Sequence, residues 1–269
     1  MTLAPDIAIS AKGQYDREGW YQAPTRFSAE DMAKLRASVE AISAQTRPEV
    51  VYEKGTEAVR AIHGCHAFDE VCARLVRLPQ LVRLAEELVG GPVYVYQFKV
   101  NLKQPHEGAA WPWHQDFAFW EREDSMLTDN AVNIAILLDD VHEENGPLKV
   151  IPGSHLLGLI DEDTKAAARS GDWTQHVSAD LEHTVPATIA DRLAEEHGTR
   201  LVVGEPGSYY AFHPTIVHSS TDNRSPDRRA LLLITYNSVS NAPVAPARPE
   251  FLVSRDATPV TALEPGAQL

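Results

Sequence analysis

The chain has 269 residues, enough to bury a sizeable core within one domain. Acidic residues outnumber basic ones by 38 to 24, and the resulting formal net charge of −14 argues against nucleic acid or an anionic membrane as a partner. Cys65 and Cys72 are too few for a disulfide framework, no signal-peptide pattern opens the chain, and its apolar runs are only strand-length. We therefore predict a cytoplasmic protein.

Residues 1–91 are predicted to be a mostly helical section that packs on the outside of a sheet. Ser28 is a candidate N-cap, with Asp31 three residues later and apolar residues at helical spacing, which predicts a helix over 28–46. A second helical zone begins near Asp69 and ends at Gly90.

From residue 92 the pattern changes to short alternating strands separated by Gly and Pro turns. In the first strand Val95, Gln97, Lys99 and Asn101 share one face, which is polar enough to line a pocket. Further strands are predicted over residues 131–138, 148–151, 201–203, 208–212, 216–218 and 230–236. These elements predict a mainly β fold with flanking helices, a jelly-roll or cupin-like barrel.

The predicted barrel covers residues 92–240 of a single domain. A charged, Ala-rich insertion at about 158–200 is read as a helical excursion or lid, or as a solvated surface segment. Residues 241–269 are Pro-rich and are predicted to form a C-terminal tail that wraps the domain.

His114 and Asp116 are the strongest candidates for chemistry. On a strand, residues two apart point to one face, so this imidazole and carboxylate can bind one metal. His218 follows a later apolar strand, and Arg229 lies eleven residues beyond it. Two histidines and a carboxylate on one face of an octahedron are typical of non-haem Fe(II) oxygenases. His213 is the rival ligand, but its odd separation from His218 places it on the opposite strand face.

The remaining histidines are weaker candidates. His155, after a Pro-Gly-Ser turn, is predicted to be a turn residue. Five others lie in polar segments and are predicted to be solvated: His106, His142, His176, His183 and His197.

Several motifs together resemble the phytanoyl-CoA dioxygenase superfamily of Fe(II)/2-oxoglutarate oxygenases. The superfamily motifs are Trp113–Phe117, Asn145–Leu148, Ile151–His155, and His218 with Arg229. Within that superfamily the chain most resembles bacterial proline trans-4-hydroxylases and leucine hydroxylases, while ectoine hydroxylase is a more distant relative. The motifs that carry this second resemblance are Val59–His66, Tyr96–Asn101, Trp120–Asp124, Ile234–Asn237 and Arg248–Phe251.

The resemblance implies a double-stranded β-helix that binds Fe(II), with 2-oxoglutarate as co-substrate and O₂ as oxidant. The implied metal ligands are His114, Asp116 and His218. Arg229 is implied to pair with the distal carboxylate of 2-oxoglutarate, Ser220 to hydrogen-bond it, and Gln97 to line the same pocket. Arg228 is the rival to Arg229, in the opposite strand register.

A substrate pocket is implied near Trp120, Arg60 and His63. Trp120 lies four residues past Asp116 and offers an aromatic wall, while Arg60 and His63 are predicted to lie in a loop before the barrel. A free amino acid brings a carboxylate that needs a cation, and Arg60 is the predicted partner.

The sequence therefore predicts hydroxylation of a small free L-amino acid of the proline or leucine type, with 2-oxoglutarate and O₂ converted to succinate and CO₂. Asp116 favours hydroxylation over halogenation, because related halogenases lack this carboxylate. Three alternatives stay open: a tailoring oxygenase for a larger natural-product intermediate, an oxygenase for an ectoine-like solute, and a cupin-like metal-binding protein without oxygenase activity. The oligomeric state and the identity of the amino acid are also open.

Overall fold

The computed structural model describes residues 10–160 and 181–269, and within these ranges it consists of two antiparallel sheets with flanking helices. The strands are β1 (Trp20–Arg26), β2 (Val50–Tyr52), β3 (Val59–His63), β4 (Val93–Lys103), β5 (Trp111–His114), β6 (Ala131–Leu137), β7 (Leu148–Val150), β8 (Arg200–Val202), β9 (Ser208–Phe212), β10 (His218–Ser220) and β11 (Arg229–Ser238). The helices are α1 (Ala11–Glu18), α2 (Ala29–Ser43), α3 (Glu70–Leu75), α4 (Pro79–Val89), α5 (Asp116–Asp124) and α6 (Ala187–His197).

The larger sheet has the order β1-β9-β6-β11-β4-β3-β2 and the smaller one the order β5-β10-β7-β8. The two sheets pack face to face in a double-stranded β-helix. An apolar cluster that includes Leu137, Val150, Phe212 and Leu231 fills one part of the space between them. The rest of that space is a cavity, so residues from both sheets meet there. The predicted jelly-roll core is confirmed.

The first helices cover the outer face of the larger sheet. In α2 the Ser28 hydroxyl accepts a hydrogen bond from the Asp31 amide at 3.0 Å, as the capping pattern predicts, and Leu35, Val39 and Ile42 are buried. The second helical zone is divided into α3 and α4. The sequence analysis did not anticipate α1, nor that β1, β2 and β3 of this section join the larger sheet.

Strand β4 departs from the simple alternation that its sequence indicates. Its pairing with β11 shifts register between Thr235, which faces Gln97, and Tyr236, which faces Val95. Because this bulge inserts an extra residue, Val95 packs with the outer core, while Gln97 lines the cavity. The prediction that Val95 and Gln97 share a face is therefore wrong.

Two other segments complete the fold. Helix α6 lies in the described part of the predicted insertion, and residues 161–180 of that insertion lie outside the described residues, as does His176. The tail after Asn241 packs against the sheet and contributes Arg248 and Leu252 to the cavity. No helix in the described ranges is long and apolar enough to cross a membrane.

Candidate active site

His114 and His218 are cross-strand neighbours. They are paired residues of β5 and β10 in the smaller sheet, and their ring centroids lie 4.1 Å apart. Directly opposed residues of an antiparallel pair have side chains on the same face, which explains why residues so distant in sequence meet in the cavity.

Asp116 joins the two histidines from the start of a helix. The expectation that His114 and Asp116 share one strand is wrong, because β5 ends at His114 and Asp116 is the first residue of α5. The side chain of Gln115, between them, donates to the carbonyl of Gly158 at 2.8 Å and accepts from the Ile160 amide at 2.7 Å. This anchoring holds the turn that directs Asp116 back toward the histidines, and the helix N-terminus favours its negative charge.

The three side chains form a compact group of possible metal ligands. The Nε2 atom of His114 lies 3.9 Å from Oδ1 of Asp116, and Nε2 of His218 lies 3.8 Å from Oδ2. All three residues are buried, and one ligand atom of each lies within 4.8 Å of the other two. This set of two imidazoles and one carboxylate fits an Fe(II) site with open coordination positions.

Backbone carbonyls fix which nitrogen each histidine presents. His114 Nδ1 lies 2.7 Å from the carbonyl oxygen of Pro112, and His218 Nδ1 lies 3.0 Å from that of Ile216. A carbonyl only accepts, so each Nδ1 carries the proton and each Nε2 has a free lone pair for a metal. Burial lowers the pKa of both rings, for His114 to about 3, which keeps the imidazoles neutral.

The Asp116 carboxylate stays ionised despite its burial. Burial opposes the charge, but Lys99, His218, His114 and a hydrogen bond from Asn133 outweigh it and lower the pKa of Asp116 to about 2. Asn133 donates to Oδ2 at 2.8 Å and itself accepts from Thr235 at 2.6 Å, while the Lys99 ammonium lies 3.6 Å from Oδ1. Lys99 was predicted only as part of the polar face of β4 that lines a pocket, and Asn133 was not predicted to have a role. The one sequence signal for Asn133 is a polar residue within the apolar strand β6.

Arg229 lies in the same cavity, and no carboxylate among the described residues neutralises its charge. It is 2% exposed, and its Nε donates to the carbonyl of Gly146 at 3.0 Å. Burial and the positive charge of Arg60 lower its pKa to about 9. Within residues 10–160 and 181–269, no acid forms an ion pair with it. The Ser220 hydroxyl also lines the cavity, is buried, and has no hydrogen-bond partner among the residues that the structure describes. This end of the cavity therefore suits the carboxylate of a co-substrate.

The rival Arg228 points away from the cavity. Its Nε and Nη2 donate to Asp139 at 3.0 and 3.1 Å. Gly146, which accepts from Arg229, has φ 78°, and a Cβ at that position would lie 2.7 Å from the Thr221 carbonyl oxygen. The Asn-Gly-Pro turn therefore requires glycine to bring a carbonyl against Arg229.

Two of the three predicted substrate residues line the cavity. Trp120, on α5, is buried and lines the cavity. Its ring packs edge-to-face against Tyr96, with 5.3 Å between the ring centroids. His63 also lines the cavity, and its buried Nε2 meets no hydrogen-bond partner in residues 10–160 and 181–269. Gln97, Lys99 and Asn101 project from β4 beside them.

Arg60 is placed differently from the prediction. It lies in β3 rather than in a loop, and its Nη1 donates to both carboxylate oxygens of Glu53 at 2.9 and 3.0 Å. Its guanidinium stacks over the ring of Trp111 at 4.0 Å, and it is not among the residues that line the cavity. Since Glu53 and Trp111 already hold this cation, the structure does not bring it to a substrate carboxylate.

A buried ion pair from the tail lies at the edge of the cavity, and the sequence analysis assigned it no role. Arg248 Nε donates to both oxygens of Asp124, at 3.2 and 3.0 Å, and Tyr96 donates to the same carboxylate at 2.5 Å. Arg248 also lines the cavity. The motif Arg248–Phe251 had been noted only as part of the resemblance.

His183 is buried, so its predicted exposure is wrong. Its Nδ1 lies 2.9 Å from Arg122 Nη1, and its Nε2 lies 3.1 Å from Glu123 Oε1. Because arginine can only donate, Nδ1 is the acceptor and Nε2 carries the proton. Glu123, Glu182 and His183 are close enough to suggest a second metal, but a protonated Nε2 facing Glu123 is a hydrogen-bond donor and not a ligand.

The other histidines follow their predictions in part: His213 lies outside the cavity, but it lies between β9 and β10 and not on the opposite face of a strand shared with His218. His213, the rival to His218, packs beside His155 with 5.1 Å between ring centroids and does not line the cavity. His155 lies in a short 3₁₀ helix, Ser154–Leu157, after the predicted turn. His106 and His197 are exposed and His142 is half-buried.

Comparisons with known proteins agree with this geometry. The family model of phytanoyl-CoA dioxygenase matches residues 15–231. The chain is 60% identical over 257 residues to the L-proline trans-4-hydroxylase of Streptomyces griseoviridis, covering 95% of this chain and 96% of that protein. It is 34% identical to the ectoine dioxygenase of Bordetella parapertussis, with 95% and 85% covered.

Solved structures show the same fold with the expected groups bound. EctD from S. alaskensis with 2-oxoglutarate and 5-hydroxyectoine matches with a TM-score of 0.80 at 29% identity, covering 98% of this chain and 90% of that one. The same protein with bound Fe matches with a TM-score of 0.79, covering 97% and 90%. The chain therefore belongs to the phytanoyl-CoA dioxygenase family and is an Fe(II)/2-oxoglutarate-dependent dioxygenase.

Proposed function

We propose that this protein hydroxylates free L-proline, at the position and with the stereochemistry of a trans-4-hydroxylase. The observation that carries the proposal is 60% identity to an L-proline trans-4-hydroxylase over nearly the whole of both chains. The intact group of His114, Asp116 and His218 supports catalysis rather than simple metal storage. Buried Arg229, which meets no carboxylate in the described chain, supports 2-oxoglutarate as the co-substrate.

In this proposal His114, Asp116 and His218 hold Fe(II), and Arg229 with Ser220 binds the distal carboxylate of 2-oxoglutarate. When bound, iron and 2-oxoglutarate would supply the oxidising power from O₂, with 2-oxoglutarate converted to succinate and CO₂. The protein contributes the geometry. Backbone carbonyls orient the two imidazoles, Asn133 and Lys99 hold the carboxylate ionised, and buried walls exclude water from the reacting carbon.

The cavity suits a small ring with charged groups. Trp120, Phe119 and Leu252 offer apolar contacts, which fit the methylene carbons of proline. Gln97, Lys99, His63 and Arg248 offer polar groups for its carboxylate and amine. The cavity thus combines apolar walls with polar groups, and in small-molecule sites such polar groups fix the orientation of the ligand.

An ectoine-like solute is the second candidate. EctD has the same fold over nearly the whole chain, and the ectoine dioxygenase of Bordetella parapertussis shares 34% of its residues. Ectoine and proline are both small cyclic compounds with a carboxylate, so the cavity does not separate them on charge alone. The much higher identity to the proline enzyme favours proline.

A direct competition separates the candidates. The purified protein, with Fe(II) and 2-oxoglutarate, is given an equimolar mixture of L-proline, L-leucine and ectoine, and each product is measured by mass spectrometry. We expect a product one oxygen atom heavier from L-proline first. If ectoine is consumed before proline, the protein is a solute hydroxylase. If none of the three compounds is consumed although 2-oxoglutarate binds, the substrate is a larger molecule.

A further inference from the structure

His63 presents an unused polar atom to the cavity. The side chain is 5% exposed, and its Nε2 meets no hydrogen-bond partner in the described parts of the chain. A buried polar atom without a partner carries a substantial free-energy cost, so it points to a ligand that satisfies it. Burial and the positive charges of Lys99 and Arg248 lower the pKa of His63 to about 3, so it is a neutral imidazole.

Lys99 is the cross-strand neighbour of His63. The two are paired residues of β3 and β4, so their side chains share the face that lines the cavity. On the other side of β4, Lys99 is paired with Leu233, which also lines the cavity. The Lys99 ammonium lies 3.6 Å from Asp116 Oδ1, which is longer than a hydrogen bond.

Among the described residues that line the cavity, Asp116 is the one carboxylate near Lys99, and under the proposed function that carboxylate also binds the iron. Among the described residues, the charged groups that line the cavity are Lys99, Arg229, Arg248 and Asp116. Arg248 is already paired with Asp124. Under the proposed function, Asp116 and one carboxylate of 2-oxoglutarate offset the iron, and the other carboxylate offsets Arg229. One positive charge remains, and it belongs to Lys99.

We infer that Lys99, together with Nε2–H of His63, binds the carboxylate of the amino acid substrate. This assignment rests on the proposed function, and it specifies that Lys99 and His63 recognise the carboxylate end of the substrate. An ammonium matches a carboxylate in charge, and a neutral imidazole can add one N–H donor. The substrate carbon that reacts is then held at a fixed distance from the metal group, because Lys99 also contacts Asp116.

The test compares Lys99→Met with Lys99→Arg and His63→Phe, using L-proline and L-prolinamide, which lacks the negative charge. Loss of one partner of a buried charge pair should raise the KM for L-proline roughly 30-fold or more in Lys99→Met. His63→Phe should raise it by roughly tenfold, and Lys99→Arg should restore most of the affinity. The preference of the wild type for L-proline over L-prolinamide should collapse in Lys99→Met.

Binding measurements keep the result interpretable. Calorimetric titration of L-proline into anaerobic protein loaded with Fe(II) and 2-oxoglutarate should show weaker proline binding in Lys99→Met. Its 2-oxoglutarate affinity should match the wild type, and its Fe(II) affinity, which loses the neighbouring charge on Asp116, should change much less than its affinity for L-proline. Lys149→Met, a lysine that lies over Trp113 outside the cavity, is the control.

Two outcomes overturn the inference. If Lys99→Met weakens 2-oxoglutarate or Fe(II) but binds L-proline normally, then Lys99 serves the co-substrate or Asp116. If Lys99→Met and His63→Phe both keep the wild-type preference for L-proline over L-prolinamide, another group binds the substrate carboxylate. Failure of the wild type to hydroxylate L-proline would instead contradict the proposed function, so the two failures are distinct.

Discussion

At the scale of single residues, the candidate iron site depends on one carboxylate that is not on the same element as either histidine. Asp116→Ala should abolish turnover and reduce bound iron, because two imidazoles hold Fe(II) poorly and leave its open positions undefined. Iron content and succinate formation measure this directly. Asp191→Ala, on the exposed face of α6, is the matched control and should keep both. Full activity in Asp116→Ala would contradict the metal assignment.

The neighbouring arginines Arg228 and Arg229 provide a second residue-scale prediction. Arg229→Ala should raise the KM for 2-oxoglutarate by an amount equivalent to about 2–5 kcal/mol, as expected when one partner of a buried charge pair is removed. Arg228→Ala removes only a partly exposed pair with Asp139 and should leave that KM almost unchanged. Initial rates at varied 2-oxoglutarate distinguish them, and a reversed result would show that the strand register is misassigned.

Residue types and spacing were enough to predict the metal group, and the family resemblance selected Arg229 over Arg228. They were not enough for Arg60, because the sequence does not show that Glu53 lies across the β2–β3 turn and neutralises it. His183 was misjudged for the same reason: its polar neighbours in sequence gave no sign of its pairing with Glu123 on α5. Partners supplied by another element are invisible to local patterns.

At the scale of elements, the C-terminal tail is held to the barrel by a buried ion pair. Arg248→Ala should lower the free energy of unfolding by about 3–5 kcal/mol, because it leaves the Asp124 carboxylate buried and uncompensated. Urea unfolding measures the change, and limited proteolysis should show earlier cleavage after residue 241. Arg192→Ala on the exposed face of α6 is the control. An unchanged stability would mean that the tail is anchored by its apolar contacts alone.

Elements were predictable where local signals determine them. Ser28 marks the start of α2 because its side chain caps the helix N-terminus. Gly90 marks the end of α4 because glycine readily adopts the left-handed conformation of the C-cap. Strand β1 was missed because it contains Pro24 and lies at the sheet edge, where pairing with β9 decides its conformation. The bulge in β4 likewise depends on its partner β11.

At the scale of the whole molecule, buried neutral histidines should make the fold sensitive to acid. Burial lowers the pKa of His66 to about 4 in the folded protein, while its pKa in the unfolded chain is near 6.5. Below pH 6.5 the unfolded chain therefore binds more protons at this residue than the folded protein does. Stability is therefore complete at pH 7 and declines as the pH falls from 6.5 toward 4, by about 2 kcal/mol at pH 5 for this residue. His66→Phe, which preserves stacking on Phe98, should reduce that decline. Equal pH dependence in both proteins would exclude His66 as a cause.

The central claim is that this molecule adds one oxygen atom to free L-proline while 2-oxoglutarate is converted to succinate. The most direct measurement is chiral chromatography with mass detection of the product from L-proline, Fe(II), 2-oxoglutarate and O₂, with succinate quantified in the same reaction. We predict trans-4-hydroxy-L-proline in amounts equal to the succinate formed, and no product from N-acetyl-L-proline. A different hydroxyproline isomer would contradict the assigned position, and succinate released without any oxidised proline would contradict proline as the substrate.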